Sequence, residues 1–223
     1  MAEIFWVRHG QASFGSTNYD QLSELGFQQA RWLGQYFAER GVQFDQAYTG
    51  TQVRHGQTLE GILDGLGALL PPTVFAGLNE YNFRGLLRCG ANQFPEVALA
   101  LKGDTRAFYR ALKQVLQSWA QGSLQGPLPE TYHEFFSRVQ SAYQHIAEHS
   151  QGKVLVVSSG GPIGLMAALA LNAPFETAIE LNLQIKNSSV SQCFSHQQGV
   201  RLHSFNTIPH LDHPDRLNAI TYA

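Results

Sequence analysis

The chain opens on an unbroken apolar run, Ile4-Phe5-Trp6-Val7, that stops at Arg8-His9-Gly10. A short apolar run without polar alternation reads as a strand buried on both faces, here handing its last residues to a loop. The stretch to about Gln21 is rich in Gly, Ser, Asn and Asp and predicts that loop. Ser23 then offers an N-cap. Gly26, Ala30, Leu33 and Phe37 succeed it at helical spacing, and Gly41 after Arg40 suits the helix end. Residues 45–49 predict a second short strand and Thr51 to about Leu63 a second helix. Val74-Phe75, after the break at Pro71-Pro72, predicts a third strand.

From Leu86 to Ser150 the pattern changes to long helices. Phe108, Leu112, Val115 and Trp119 form one apolar stripe. Phe135, Val139, Ala142 and Ile146 form another, opened by the capping box Thr131-Tyr132-His133-Glu134. Gly122 to Pro129 links them. Val154-Leu155-Val156-Val157 is the clearest buried strand, and Ser158-Ser159-Gly160-Gly161-Pro162 leads from it into a helix at about Ile163 to Leu171, with Pro162 suited to the first turn. Ser188–Phe194 and Val200–Phe205 predict a hairpin or pair of strands around Gln198-Gly199. Strands and helices in alternation indicate an α/β fold with a mostly parallel sheet. The whole of 1–223 reads as one domain with a helical insert at about 86–150.

Composition narrows the function. A charged fraction of 14% beside a hydrophobic fraction of 43% is that of an ordinary globular protein. Fifteen Lys and Arg against 17 Asp and Glu give a net charge of −2, which leaves no basic footprint for nucleic acid or for an anionic membrane. No apolar run is long enough to span a bilayer. Met1-Ala2-Glu3-Ile4 enters a strand without the basic start of a signal peptide, so the cytoplasm is the expected compartment. Cys89 and Cys193 have no metal-like spacing; one disulfide stays open, and two free thiols is the default. The pattern says nothing of oligomeric state.

The chemistry concentrates at strand ends. An imidazole beside a guanidinium at Arg8-His9-Gly10 stands where open α/β sheets place their ligands. Arg presents fork-shaped donors to phosphate oxygens, and Gly10 permits close backbone approach. An isolated R-H-G tripeptide is more often chance than chemistry, so the weight falls on the other motifs of the chain.

The run Phe5-Trp6-Val7-Arg8-His9-Gly10-Gln11, together with Leu22-Ser23-Glu24-Leu25-Gly26-Phe27-Gln28-Gln29-Ala30, resembles the opening of the histidine phosphatase (phosphoglycerate mutase-like) superfamily. Thr49-Gly50-Thr51-Gln52-Val53-Arg54-His55-Gly56-Gln57-Thr58 resembles its second-arginine segment. Leu78-Asn79-Glu80-Tyr81-Asn82-Phe83-Arg84-Gly85 resembles its acidic segment, and Phe205-Asn206-Thr207-Ile208-Pro209-His210-Leu211 its closing stretch. The resemblance implies a three-layer α/β fold with helices on both faces of the sheet and a phosphate pocket above the strand ends. It makes His9 the nucleophile, Arg8 and Arg54 the clamp on the phosphoryl oxygens, and Glu80 the general acid. Neither metal nor other cofactor is implied. The expected activity is hydrolysis of a small phosphomonoester through a phosphohistidine, and the expected partner is that phosphorylated substrate.

Two departures qualify this. The family pattern S-H-G-G after the strongest strand is here Ser158-Ser159-Gly160-Gly161, with Ser159 at the place of a second histidine. A serine hydroxyl and the amides near Gly160 and Gly161 still offer donors to phosphate, but no positive charge. Losing one preorganised donor costs roughly 2.7–4 kcal/mol, so a slower phosphatase is expected. His55 is expected to point about 100° away from Arg54 around its helix, which removes it as a replacement. The mutase pattern R-H-G-x-S-x-x-N holds Ala12 and Gly15 at its Ser and Asn, which favours hydrolysis over mutase activity. A phosphoglycerate-type mutase and a weakly active or non-catalytic phospholigand-binding protein remain the alternatives.

Arg84 and Arg88 are expected either to hold a second anionic group of the substrate or to be solvated. Phe108, Tyr109 and Trp119 are expected in the core. His145 and His149 have an i, i+4 spacing that suits metal but lack an evident third ligand, and Ser159 lacks the glycine that precedes a serine-hydrolase nucleophile.

Overall fold

The computed structural model describes residues 1–13, 20–101, 103–196 and 199–222. The strands are β1 (Ala2–Arg8), β2 (Gln46–Thr49), β3 (Thr73–Val74), β4 (Gly152–Ser158), β5 (Val190–His196) and β6 (Gly199–Thr207). The α-helices are α1 (Glu24–Glu39), α2 (Val53–Leu66), α3 (Phe83–Gln93), α4 (Pro95–Ala100), α5 (Thr105–Ala120), α6 (Tyr132–His149), α7 (Gly160–Ala170) and α8 (Phe175–Asn182). The sheet runs in the order β3-β2-β4-β1-β5-β6. β4 lies parallel to both β1 and β2, and β3 lies parallel to β2. β5 and β6 form an antiparallel hairpin on the far edge.

Residue alternation sorts the strands between two helix layers. Phe5, Val7, Ala47, Leu155 and Val157 face α1 and α2, where Ala30, Leu33, Phe37, Leu59 and Ile62 meet them. Ile4, Trp6, Tyr48, Val154 and Val156 face α6 and α7. The chain covers one face up to β3 and the other afterwards. The sheet order therefore switches direction between β1 and β4, where open α/β sheets leave a crevice at their carboxyl ends.

Ser23 accepts from the Gly26 amide as N-cap of α1, Gly41 comes after that helix with φ 62°, and Thr131 with Glu134 forms the capping box of α6. The helical insert is narrower than the sequence suggests. Phe135 and Val139 of α6 pack on α3–α5, while Ala142 and Ile146 of the same helix pack on the sheet, so α6 belongs to the sheet-covering layer. α7 is apolar on all sides because it lies between the sheet and the insert, with Ile163 and Met166 on one and Leu165 and Ala168 on the other. Cys89 and Cys193 are buried free thiols. Among the described residues no helix is long and apolar enough to cross a membrane.

Candidate active site

Each parallel strand delivers chemistry at its carboxyl end. β1 ends on Arg8 and His9, β2 leads into α2 with Arg54 and His55, β3 leads to Glu80 through a short 3₁₀ turn (Ala76–Leu78), and β4 ends beside Ser159. A cleft of about 90 Å³ lies above them, and its lining includes Arg8, His9, Arg54 and Glu80.

His9 is held by its backbone. Its N–H donates to the Ser158 carbonyl at 2.9 Å, extending the β1–β4 pairing by one residue. The Asn187 side chain and the Ser188 amide both donate to the His9 carbonyl. Gly10 donates to Thr58 Oγ1 at 3.0 Å, and a Cβ there would collide with the Gly26 carbonyl. The R-H-G glycine thus lets α1 press directly on the loop.

The imidazole itself is 3% exposed, and its Nδ1 lies 2.7 Å from the Gly10 carbonyl. A carbonyl can only accept, so Nδ1 carries the proton and Nε2 keeps its lone pair. Burial, then Arg54, Arg8 and His55, holds this histidine well below its ordinary pKa of 6.5 against the opposing Gly10 bond. It rests as a neutral base with one free nitrogen.

The two arginines are tied from different directions. Arg8 Nη1 donates to the carbonyls of Ile185 and, at 2.7 Å, Tyr222. Arg54 is buried; its Nη1 donates to Asp20 at 2.8 Å and its Nη2 to Gln52 Oε1 at 2.8 Å. Gln52 Oε1 also accepts from the Glu80 amide at 3.1 Å, so one side chain joins Arg54 to the Glu80 segment. The other Asp20 oxygen accepts from the Val53 amide at the start of α2, where the helix dipole favours an anion.

Glu80 is partly buried, and burial raises its carboxyl above the ordinary 4.5. The Gly161 amide, Arg54, Arg8 and the Tyr81 amide pull the other way. A carboxyl raised in this manner is fitted to hold and release a proton.

His55 departs from the sequence expectation. It does not point away from the site: its ring lies 5.7 Å from the His9 ring, and its Nε2 is 2.7 Å from Ser159 Oγ. Arg54 and His55 open the first turn of α2, and side chains of a helix lean toward its N-terminus. A site beyond the helix end is therefore reached by two successive residues, although one along its side would not be.

Ser159 is the N-cap residue of α7, fully buried, and makes no side-chain capping bond. Gly160 is also buried, and neither residue lines the cleft. The Gly161 amide is engaged by Glu80 Oε2 at 3.1 Å. Arg84 and Arg88 are exposed on α3 and do not line the cleft. Its outer wall is formed instead by Phe83, Phe108, Tyr109, Leu112, Leu183 and Tyr222. Tyr109 is thus a cleft residue, Phe108 lines the cleft while packing against the insert core, and Trp119 is buried in that core as expected. Asn182 and Tyr222, which line the cleft, and Asp20 and Gln52, which hold Arg54, were not legible as site residues, because no motif marks them and their places depend on how distant segments dock. Gly15 of the mutase pattern lies outside the described residues. His149 Nδ1 bonds the His145 carbonyl one turn earlier, and the two rings stack at 4.3 Å.

A buried neutral imidazole, two arginines and a raised carboxyl thus share one cleft at the switch point of an α/β sheet. The chain belongs to the histidine phosphatase superfamily (branch 1), whose family model matches residues 4–208. A 2,3-bisphosphoglycerate-dependent phosphoglycerate mutase of Latilactobacillus sakei is 36% identical over 93 residues, 39% of this chain and 41% of that protein. The match thus spans about two-fifths of that relative's length. The fold is shared with the alpha-ribazole phosphatase of Shigella flexneri (TM-score 0.63, 21% identity, 92% of this chain and 96% of that one). It is shared too with the phosphoserine phosphatase of Entamoeba histolytica solved with 3-phosphoglyceric acid (TM-score 0.65, 18% identity, 95% and 100%).

Proposed function

We propose that this protein is a phosphomonoesterase acting through a phosphohistidine at His9. The observation that carries this is the Nδ1–Gly10 bond, which leaves Nε2 unprotonated beside Arg8 and Arg54. Nε2 attacks phosphorus in line and the bond from phosphorus to the leaving oxygen breaks, while the arginines offset charge on the transferred group. Glu80 gives its proton to that oxygen. Its carboxylate then takes a proton from water as the water attacks phosphorus, the N–P bond breaks, and phosphate leaves. No step calls for a metal.

The substrate class is set by the outer wall. Beyond the clamp, the cleft presents aromatic and aliphatic side chains, with Asn182 and the tyrosines Tyr81, Tyr109 and Tyr222 carrying its polar groups. Among the described residues Arg8 and Arg54 are its lining cations, and both are committed to the phosphoryl group in this reading. The substrate is therefore the phosphate of an apolar or aromatic alcohol.

A mutase is the second reading, because the Latilactobacillus sakei relative is one. It is tested by the same assay. Phosphate release from a generic aryl phosphate, measured without added metal, should be clear in the wild type and absent in His9→Ala, with a phosphohistidine trapped by rapid quench. Equal activity in both proteins refutes the mechanism. Transfer only with a bisphosphate primer favours the mutase, and absence of both turnover and trapped phosphate favours a binding protein.

A further inference from the structure

Residues 220–222 follow a 3₁₀ turn (Pro214–Ala219) without regular structure, so individual hydrogen bonds decide where they lie. Two buried amides hold them. Gln29 Nε2 donates to the Ala219 carbonyl at 2.7 Å and to Thr221 Oγ1 at 3.0 Å, while its Oε1 accepts from the Gln11 amide at 2.8 Å. Asn187 Oδ1 accepts from Thr221 Oγ1 at 2.9 Å, and its Nδ2 donates to the His9 carbonyl at 3.2 Å. The Asn187 backbone N–H also donates to the Thr221 carbonyl at 2.9 Å. Both amide orientations follow from their backbone partners, since an N–H only donates and a carbonyl only accepts. Gln29 and Asn187 are each 0% exposed, and each joins Thr221 to the loop of the nucleophile.

Tyr222 comes next along the chain. Its carbonyl accepts from Arg8 Nη1 at 2.7 Å, its ring lines the cleft, and Lys186 Nζ stands 6.0 Å from the ring centroid. A hydrogen bond from a cation is stronger than one between neutral groups. One residue therefore grips the clamp with its main chain and faces the cleft with its side chain. It is 49% exposed, so the ring is not there to fill the core. We propose that Tyr222 is a specificity-determining residue for the alcohol part of the substrate. Thr221 is the positioning residue that sets the Tyr222 ring and, through the Tyr222 carbonyl, Arg8. The proposal rests on the phosphatase reading and deepens it. An aryl group on the phosphate lies against Tyr222, and the span from that wall to the phosphoryl group is fixed because both are hung on the same two amides. A small polar alcohol gains nothing from the ring.

The test is equilibrium binding to the His9→Ala protein by calorimetry, which needs no turnover. This protein should bind phenyl phosphate about tenfold more tightly than inorganic phosphate, as expected for the apolar area covered. Adding Tyr222→Ala should remove most of that preference, and adding Tyr222→Phe, which keeps the ring, should retain it. Adding Thr221→Val should weaken both ligands by about tenfold, the size expected for one hydrogen bond to a charged group. Thr221→Ser, which keeps the hydroxyl, should restore both. A threonine that only filled space would give the reverse order, because valine matches its volume and serine does not. A phenyl preference that persists in Tyr222→Ala, or inorganic phosphate binding that is unchanged by Thr221→Val, overturns the proposal. So does a His9→Ala protein that shows no preference for phenyl phosphate. Turnover that survives His9→Ala refutes the phosphatase reading instead, because the binding comparison is judged apart from it. Melting curves of each variant confirm that the comparison is between folded proteins.

Discussion

The backbone N–H of Gly161 donates to the Glu80 carboxylate at 3.1 Å, joining the first turn of α7 to the segment after β3. The contact requires glycine. A Cβ at residue 161 would collide with Glu80 Oε1 and stand 2.6 Å from Tyr81 Cε1. Gly161→Ala should therefore displace the carboxyl and lower kcat by about 100-fold, the scale expected of an ångström-sized misplacement. Steady-state kinetics beside a thermal melt check this. Unchanged kcat would mean that Glu80 can act from another position.

In the proposed mechanism Glu80→Gln separates the acid from the nucleophile. With alkyl phosphates, whose leaving oxygen needs a proton, kcat should fall by about 10²–10⁴. With an aryl phosphate of low phenol pKa the loss should be much smaller. Burial raises the Glu80 carboxyl above 4.5, and the proton is required for the first step, so wild-type activity should decline as pH rises through that raised value. The variant should lack this alkaline limb. A pH series with both substrates reads the two effects together.

Phe108→Ala and Tyr109→Ala test the apolar wall. Each removes a cleft side chain without touching the clamp, and should raise KM for a phenyl-type phosphate about tenfold, as expected for the apolar area lost. KM for glycerol phosphate should stay within about twofold. Equal effects on both substrates would count against an apolar leaving group.

Three histidines make stability depend on pH. His9, His55 and His210 are buried and held below 6.5, first by burial in every case, with His210 at about 3. The unfolded chain takes up their protons near 6.5 while the folded chain does not, so stability should fall as pH drops from about 6.5 toward 5. Each proton taken up on unfolding adds about 1.4 kcal/mol per pH unit to the slope. Glu80, raised in the fold, acts in the opposite sense. Denaturant unfolding at a series of pH values measures the slope, and His210→Gln should reduce it by about one proton. A flat profile would mean that these imidazoles become protonated without unfolding.

The local elements were legible because they depend on local periods. Four apolar residues before Arg8 and four before Ser158 specify buried strands, and a cap residue ahead of helical spacing specifies α1 and α6. α8 was missed because it is one short helix after Pro174, with too few turns to show a period. The stripe of α6 was read correctly, yet which of its residues face the insert and which the sheet was not, because one apolar face can serve two neighbours.

The site divides in the same way. The sequence by itself determined that His9 ends a buried strand, and its ordered motifs pointed to Arg8, Arg54 and Glu80 as that histidine's companions. Only the tertiary structure decided that His55 meets Ser159, that Asp20 and Gln52 hold Arg54, and that Phe108 and Tyr109 wall the cleft while Arg84 and Arg88 face solvent. A sequence period gives the direction of a side chain relative to its own helix. The neighbours that side chain touches are decided by where the helix end is docked, and docking is the sum of many weak contacts between residues far apart in the chain.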